Sequence, residues 1–356
     1  MLLKDVKTRN RTRSATVSLV AEAVDVSVLI PVRNEAAHLR DVAAAMRAQR
    51  LDGTFELIFV DGRSEDGSRA ILDDLAREDS RVRVLDNPAR RTPHALNLAL
   101  RVARGRVIAR MDAHARYPPD YLARGLERLR RGDVDQVTGP ALAEGEGRWS
   151  RLVALALSTR LGTGGADFRH SADAEFDVDS GFAGLWTRET LERLGGWDEE
   201  WVNDQDFELA ARIRKSGGRI VCVPAMAAGY FPRDSLRALA EQYHRYGFYR
   251  VKTSLRHPES LRRSHVLAPG LVLTAAAAAV APRPVRTVAR AGVAAYAAAV
   301  LATSVEAADD AADAAALPLV FATMHLSWGG GFLRACARLG PPWSALAGLT
   351  SGSETR

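Results

Sequence analysis

Apolar residues follow two alternating rhythms along the first two thirds of the chain. Short, mainly apolar runs rich in β-branched residues occur at 24–32, 55–60, 82–85, 105–109 and 136–142. Runs of that length, bounded by turn residues, predict buried strands. Between them apolar residues recur three and four apart: Leu39, Val42 and Met46, then Ile71, Leu72 and Leu75, then 93–103, then Tyr121, Leu122, Leu126 and Leu129. That spacing predicts helices with one buried stripe. Asn34 stands where it can cap the first, beginning near Glu35, and Ser64 or Asp66 where it can cap the second. Strands alternating with helices predict an α/β fold with a mostly parallel sheet covered on both faces.

The rhythm weakens between 144 and 178. A helix over Leu152–Leu157 gives way to Gly162-Thr-Gly-Gly165 and a polar stretch with Asp167, Arg169, His170, Asp173 and Glu175. It reads either as a loop over a site or as a linker. Helices return at 188–194, from about 205 with Leu209 and Ile213 on one face, and at 235–249; a strand is expected at 219–223.

After Arg263 the pattern changes again. Stretches 265–281, 285–305 and 314–333 are almost wholly apolar and rich in alanine. Each approaches the roughly 20 residues needed to cross a bilayer. Arg283 and Arg286 sit between the first two, where a simple hairpin places them on the wrong side. The expectation is helices that lie against or dip into the inner leaflet; a soluble helical subdomain is the competing reading. The expected division is a basic extension (1–23), a catalytic domain (24–263), an apolar membrane-associated region (264–340) and a tail (341–356).

Net charge is +6 over 356 residues, with a sequence pI of about 9.6. That favours anionic partners such as nucleotides, polyphosphates or an anionic membrane surface. Basic runs with interleaved aromatics are lacking, so nucleic acid is not expected as a partner. The two cysteines, Cys222 and Cys336, have no metal-ligand spacing. The first thirteen residues lack the apolar core of a signal peptide, which places the N-terminal half in the cytoplasm.

The chemistry concentrates at predicted strand ends, where open α/β sheets bind ligands. Asp112 and His114 stand two residues apart after the fourth strand, so both can point one way. A carboxylate and an imidazole can share a divalent cation, and the cation can hold a diphosphate. Other polar groups follow at Pro31-Val-Arg33-Asn-Glu35, at Asp61-Gly-Arg-Ser64-Glu-Asp66 and at Arg90-Arg91. Asp204, Asp206 and Glu208 crowd one helix start, where the helix dipole alone favours carboxylates.

The order of these motifs resembles family 2 glycosyltransferases, whose fold is called GT-A, and most of all the bacterial exopolysaccharide branch of succinoglycan-type glucosyltransferases. The likeness covers about residues 26–252. It implies that Pro31, Arg33 and Glu35 lie on the nucleotide side of the donor pocket. Asp61 would contact base or ribose, and Arg91 would approach the donor phosphates. Asn97 matches a frequent asparagine of that helix. Asp112-Ala-His114 stands where the family has Asp-X-Asp, so both residues would ligate the metal, manganese or magnesium; imidazole suits manganese better. Asp179, Ser180 and Gly181 match the small-residue loop beneath donor sugar and acceptor. Gln205-Asp206 stands where the family has Glu-Asp, which makes Asp206 the catalytic base. Gln242, Arg245 and Tyr246 resemble the Gln-X-X-Arg-Trp motif, with tyrosine for tryptophan.

The resemblance implies an inverting, metal-dependent transfer from a nucleotide-diphosphate sugar, with uridine diphosphate the commonest carrier. The acceptor would be a saccharide or a polyprenyl-linked sugar, at the cytoplasmic face of the cell membrane. Two other classes are weighed against it. A scaffold that keeps the fold without the activity is compatible with the changes at His114 and Gln205. A nucleotidyltransferase would carry a Gly-rich basic loop after the first strand, where this chain reads Pro-Val-Arg-Asn-Glu.

Overall fold

The computed structural model describes residues 24–164 and 173–350. The basic extension, the loop residues Gly165, Asp167, Arg169 and His170, and the last six residues lie outside them.

The alternating pattern resolves into β1 (Val26–Val32), α1 (Leu39–Arg47), β2 (Phe55–Asp61), α2 (Ser68–Glu78), β3 (Val82–Asp86), α3 (Thr92–Val102) and β4 (Val107–Arg110). β2 is buried at every position and β1 at all but Pro31, as expected of strands covered on both faces. They pair in parallel in the order β3-β2-β1-β4. The helix after β1 begins at Leu39, four residues later than predicted. Asn34 does not cap it: its backbone is left-handed (φ +57°), and its side-chain oxygen accepts from the Glu65 amide at 2.9 Å.

The chain then forms β5 (Ala115–Arg116), α4 (Tyr121–Leu129), β6 (Gln136–Gly139) and β7 (Ala141–Ala143). The single strand predicted at 136–142 is cut by Pro140, which has no amide proton to continue a ladder. Next come α5 (Arg148–Leu157), α6 (Arg160–Thr163), β8 (Phe176–Asp177), β9 (Phe182–Thr187), α7 (Arg188–Leu194), α8 (Gln205–Lys215), β10 (Ile220–Cys222), β11 (Ala228–Tyr230) and α9 (Leu236–Arg256). Among the described residues the main sheet has the order β3-β2-β1-β4-β9-β6-β10-β8. β9 runs antiparallel between β4 and β6. A small second sheet, β5-β11-β7, stands beside it. The ends of β1, β2 and β4 and the start of β9 therefore lie on one side of the sheet.

The apolar segments are α10 (Leu267–Val280), α11 (Arg283–Ala307) and α12 (Ala311–Leu339), followed by α13 (Trp343–Gly348). By length and composition the three long segments suffice to cross a membrane. They form layers. The most apolar stretch of α12 is 39% buried within the protein, that of α11 17%, and that of the α10 segment only 6%. Val280, Val288 and Val305 on the outer layer are 85%, 74% and 70% exposed. Exposed apolar residues of this kind on helices of this length would allow association with a membrane.

α12 lies along α9 in the same direction. Leu239 packs in one cluster with Val320, Phe321 and Met324; Val251 packs in another with Phe332 and Ala335. Glycines set the approach. A Cβ on Gly247 would stand 2.0 Å from the Trp328 carbonyl oxygen, and one on Gly331 would stand 2.0 Å from that of His244. The composition change near residue 263 thus separates two kinds of surface, while the packed clusters run across it.

Candidate active site

Three strand ends build one wall. After β1 the backbone is pinned to the β2 loop. Ser64 Oγ accepts from the Asn34 amide at 3.0 Å, Ser68 Oγ from that of Glu35 at 2.9 Å, and Asp66 from that of Ala36 at 2.9 Å. Hydrogen bonds from Ser68 and the Ala36 amide hold the Asp66 carboxyl below its ordinary range. This clamp presents Pro31, Arg33 and Glu35 to a cavity of about 1260 Å³. Arg91, at the start of α3, lines it too. Asp61 does not: it is buried, and its carboxylate receives the Ser64 hydroxyl at 2.6 Å. That carboxylate braces its own turn and lies off the cavity wall on which the expected contact with base or ribose would be made. Asn97 also stays outside the cavity, clipping α3 to the Trp197 backbone at 2.7 and 2.9 Å.

The floor of the cavity is an ion-pair network centred on Arg110, the last residue of β4. Its guanidinium forks onto Asp112, Nε to Oδ1 at 2.8 Å and Nη2 to Oδ2 at 3.0 Å, while Nη1 reaches Asp206 Oδ1 at 2.5 Å. Arg110 and Asp112 are buried. Burial opposes the Asp112 charge, but Arg110 and His114 outweigh it and hold its carboxyl below the ordinary value. The Asp112 amide donates to Tyr117 Oη at 2.7 Å, which fixes the turn after β4. His114 is half exposed and approaches Glu35 Oε1 at 3.2 Å through Nδ1. Burial of the ring works against its charge, yet Glu35 and Asp112 prevail and raise its pKa.

The three carboxylates of the α8 start take different environments. Asp204 has a left-handed backbone (φ +63°) and is held by Arg250 at 3.1 Å and Thr253 Oγ1 at 2.9 Å. Glu208 is buried against Arg212 at 2.7 Å and His257 at 3.3 Å. Asp206 faces the cavity. Arg110 takes its Oδ1, and no described residue donates to its Oδ2. Burial raises the Asp206 pKa, Arg110 lowers it, and Asp112 and Asp204 raise it further, with a net upward shift. A carboxylate of raised basicity with one open oxygen is equipped to accept a proton.

Opposite lie Asp179, Ser180 and Gly181. Asp179 accepts from Arg262 Nε at 2.7 Å. A Cβ at Gly181 would come within 2.4 Å of the Thr138 side chain, so only glycine lets this loop close on β6. Gln205 lines the same space. On α9, Gln242 donates to Tyr230 Oη at 3.1 Å and Tyr246 Oη at 2.9 Å, and exposed Arg245 turns toward the cavity mouth. The cavity therefore gathers the site residues expected from the sequence except Asp61 and Asn97.

The donor set also bears on metal binding. Among the described residues no group of three or more His, Cys, Asp and Glu side chains forms. A divalent cation here would take Asp112 and His114 and complete its shell with phosphate oxygens and water, the usual manner for magnesium-like ions. An ionised carboxylate has about four lone-pair sites, and Arg110 uses two of those on Asp112, so acceptor capacity remains.

Arg110 escaped the sequence reading, as did Arg250. The signal for Arg110 was present: in a buried strand the residue two before Asp112 shares its face. A basic residue there has few partners other than that carboxylate.

Comparison with known proteins agrees with this geometry. Residues 27–189 match the family described as "Glycosyl transferase family 2". Over 232 residues the chain is 34% identical to the succinoglycan biosynthesis protein ExoA of Rhizobium meliloti (strain 1021), covering 65% of this chain and 70% of that one. The chain belongs to glycosyltransferase family 2. A more distant relative of this glycosyltransferase, 22% identical over 62% of the chain and 71% of its own length, is the dolichyl N-acetyl-alpha-D-glucosaminyl phosphate 3-beta-D-2,3-diacetamido-2,3-dideoxy-beta-D-glucuronosyltransferase of Methanococcus voltae. Among solved structures, the mannosyltransferase PcManGT of Pyrobaculum calidifontis, in complex with GDP-Man and Mn2+, superposes with a TM-score of 0.54 at 21% identity, over 87% of this chain and 86% of that one. That likeness establishes the GT-A fold. The glycosyltransferase is an enzyme of the exopolysaccharide branch, acting in the synthesis of polysaccharide or lipid-linked sugar.

Proposed function

We propose that this enzyme is an inverting, metal-assisted glycosyltransferase that uses a nucleoside-diphosphate sugar, with uridine diphosphate the favoured carrier. The acceptor is a saccharide or lipid-linked sugar presented at the cytoplasmic face of the membrane. The observation that supports this reading is the Arg110 network, which holds Asp112 and Asp206 together on the floor of a cavity that His114 also lines.

Asp206 Oδ2 takes the proton of the acceptor hydroxyl. The freed oxygen attacks the anomeric carbon, and the bond from that carbon to the phosphate oxygen breaks. The electron pair leaves with the nucleoside diphosphate. A cation held by Asp112 and His114 would neutralise the charge developing on that leaving group. Arg91 and Arg245, both exposed and facing the cavity, supply positive charge to the same oxygens. Among the described residues that line the cavity the other carboxylates are engaged: Glu35 by His114, Asp112 by Arg110, Asp179 by Arg262, and Asp204 by Arg250 and Thr253. One available base and no spare nucleophile favour a single displacement, which inverts the anomeric centre. The outer face of α10 and α11, apolar and exposed, supports seating in a membrane.

Asp206→Asn keeps shape and hydrogen bonding but cannot accept a proton. Turnover should fall by roughly 10²–10⁴-fold, the usual contribution of a positioned base, with donor binding nearly unchanged. Loss of donor affinity instead, or full turnover, would assign the base elsewhere.

A further inference from the structure

The cavity has a second charged wall that this reaction leaves unused. Arg250, buried on α9, spends Nη2 on Asp204 and lies over the Phe207 ring at 4.1 Å. Among the described residues its Nη1 is buried without a hydrogen-bond partner, and so are Arg214 Nε and the hydroxyls of Ser180 and Ser260. All four residues line the one cavity. Arg262 stands with them on Asp179, whose other oxygen is 3.7 Å from Arg214. Three guanidiniums thus face the two carboxylates of Asp179 and Asp204.

Buried polar groups left unpaired are uncommon and costly. Four unpaired donors around one space, with surplus positive charge, describe a site for an anion. Burial weakens the hold of Arg250 on its proton. Asp204 and Asp179 oppose that effect, while Arg262 and Arg214 add to it, and the net shift is downward. Its charge is under-neutralised as it stands. Guanidinium forks and hydroxyls match the oxygens of a phosphate better than a lone carboxylate does.

Position narrows the source. The wall is anchored on Asp179 and Asp204, across from the Asp112–His114 pair that faces the donor. Ser260 lies seven residues before α10, and beyond it the cavity continues past Leu267 and Leu271 to Trp328. The cluster sits where the polar chamber meets the apolar helices. We propose that Arg250, Arg214, Arg262, Ser180 and Ser260 form a second anion site, which holds the phosphate or diphosphate of a lipid-linked acceptor whose chain lies along α10. This rests on the transferase reading above and names its acceptor.

The test uses the full chain in detergent and calorimetric titration with four probes: a short prenyl diphosphate, the prenol of equal length, inorganic phosphate, and uridine diphosphate with manganese. The prenyl diphosphate should bind roughly tenfold or more tighter than either the prenol or inorganic phosphate. Arg250→Gln and Ser260→Asp should each weaken it by a similar factor while uridine diphosphate binds as before. Ser260→Asp lies outside the Arg250–Asp204 pair, so it tests the site even if Arg250→Gln misfolds. Equal affinity for prenol and prenyl diphosphate overturns the anion site. Inorganic phosphate binding as tightly as the prenyl diphosphate overturns the lipid source. Equal loss of uridine diphosphate in the variants assigns the cluster to the donor and overturns the proposal. If the parent binds prenyl diphosphate but no uridine diphosphate, the donor reading fails alone.

Discussion

Replacing Arg110 by methionine isolates what its charge does. Methionine keeps an apolar stem of similar reach and brings no donor. The change removes the fork to Asp112, at 2.8 and 3.0 Å, and the 2.5 Å contact to Asp206. Two carboxylates then share one floor with no cation between them. Removing one partner of a buried ion pair costs roughly 3–5 kcal/mol, because the remaining charge stays buried. Asp206 is partly open and can relieve the strain by taking a proton, so the lower end of that range applies. At roughly 2–4 °C per kcal/mol for a domain of this size, Tm should fall by roughly 6–12 °C in chelator. A divalent cation seated beside Asp112 supplies the missing positive charge. Manganese should therefore restore part of the deficit, and raise the parent's Tm by less. The assay is thermal unfolding of the full chain in detergent near neutral pH, with chelator or manganese. An unchanged Tm in chelator refutes the view that Arg110 neutralises this floor. An equal deficit with and without manganese removes the cation from Asp112.

His114 has a raised folded-state pKa, so the stability its charge contributes is complete below about 6.5 and is lost as pH rises through the folded value. The neutral ring is the metal ligand, so calorimetric manganese affinity should increase with pH through a value above 6.5, and His114→Ala should flatten that dependence. The Asp206 pKa is also raised: the fold favours its neutral form, so the stability that form contributes is complete below the ordinary carboxyl value of 3.8 and is lost as pH rises through the folded value, while catalysis needs the ion. The acid limb of kcat/KM should lie above 3.8, and a limb at or below that value would count against this base. Gly331→Val should push α12 off α9 and cost roughly 1–3 kcal/mol in denaturant unfolding, as overpacked sites do. Ending the chain at Arg263 uncovers Leu239 and Val251, and should yield an aggregating catalytic domain rather than a stable monomer by size-exclusion chromatography.

Local signals were legible where one physical term dominated. β1, β2 and β4 are buried on both faces, so their sequences are mainly apolar runs, and the polar residues that follow them mark the cavity rim. The Asp112–His114 pair follows from strand periodicity alone. Competing terms hid the rest. Asn34 looked like a cap, but the Asp66 and Ser68 side chains pin the loop after β1 and delay the helix to Leu39. Asp61 looked like a ligand, but Ser64, three residues on, claims its carboxylate. The Arg110–Asp112 pair was readable two residues apart on one strand face, but Arg110 also reaches Asp206 and Arg250 reaches Asp204, and those pairings across long stretches of chain leave no local trace. The sharing of packed clusters between α9 and α12 is equally long-range, and a change of composition near 263 conceals it.

The close contact of α9 with α12 also acts as a ruler. α9 carries Gln242, Tyr246 and Arg250 into the cavity, and glycine contacts at two levels fix its register on α12. If α10 to α12 set the protein in the bilayer, the reacting carboxylate stands at one fixed height above the lipid. An acceptor sugar is then selected by how far it projects from its lipid anchor. A saccharide one unit too short or too long would offer its hydroxyl at the wrong level, so chain length would be measured without any contact that reads it.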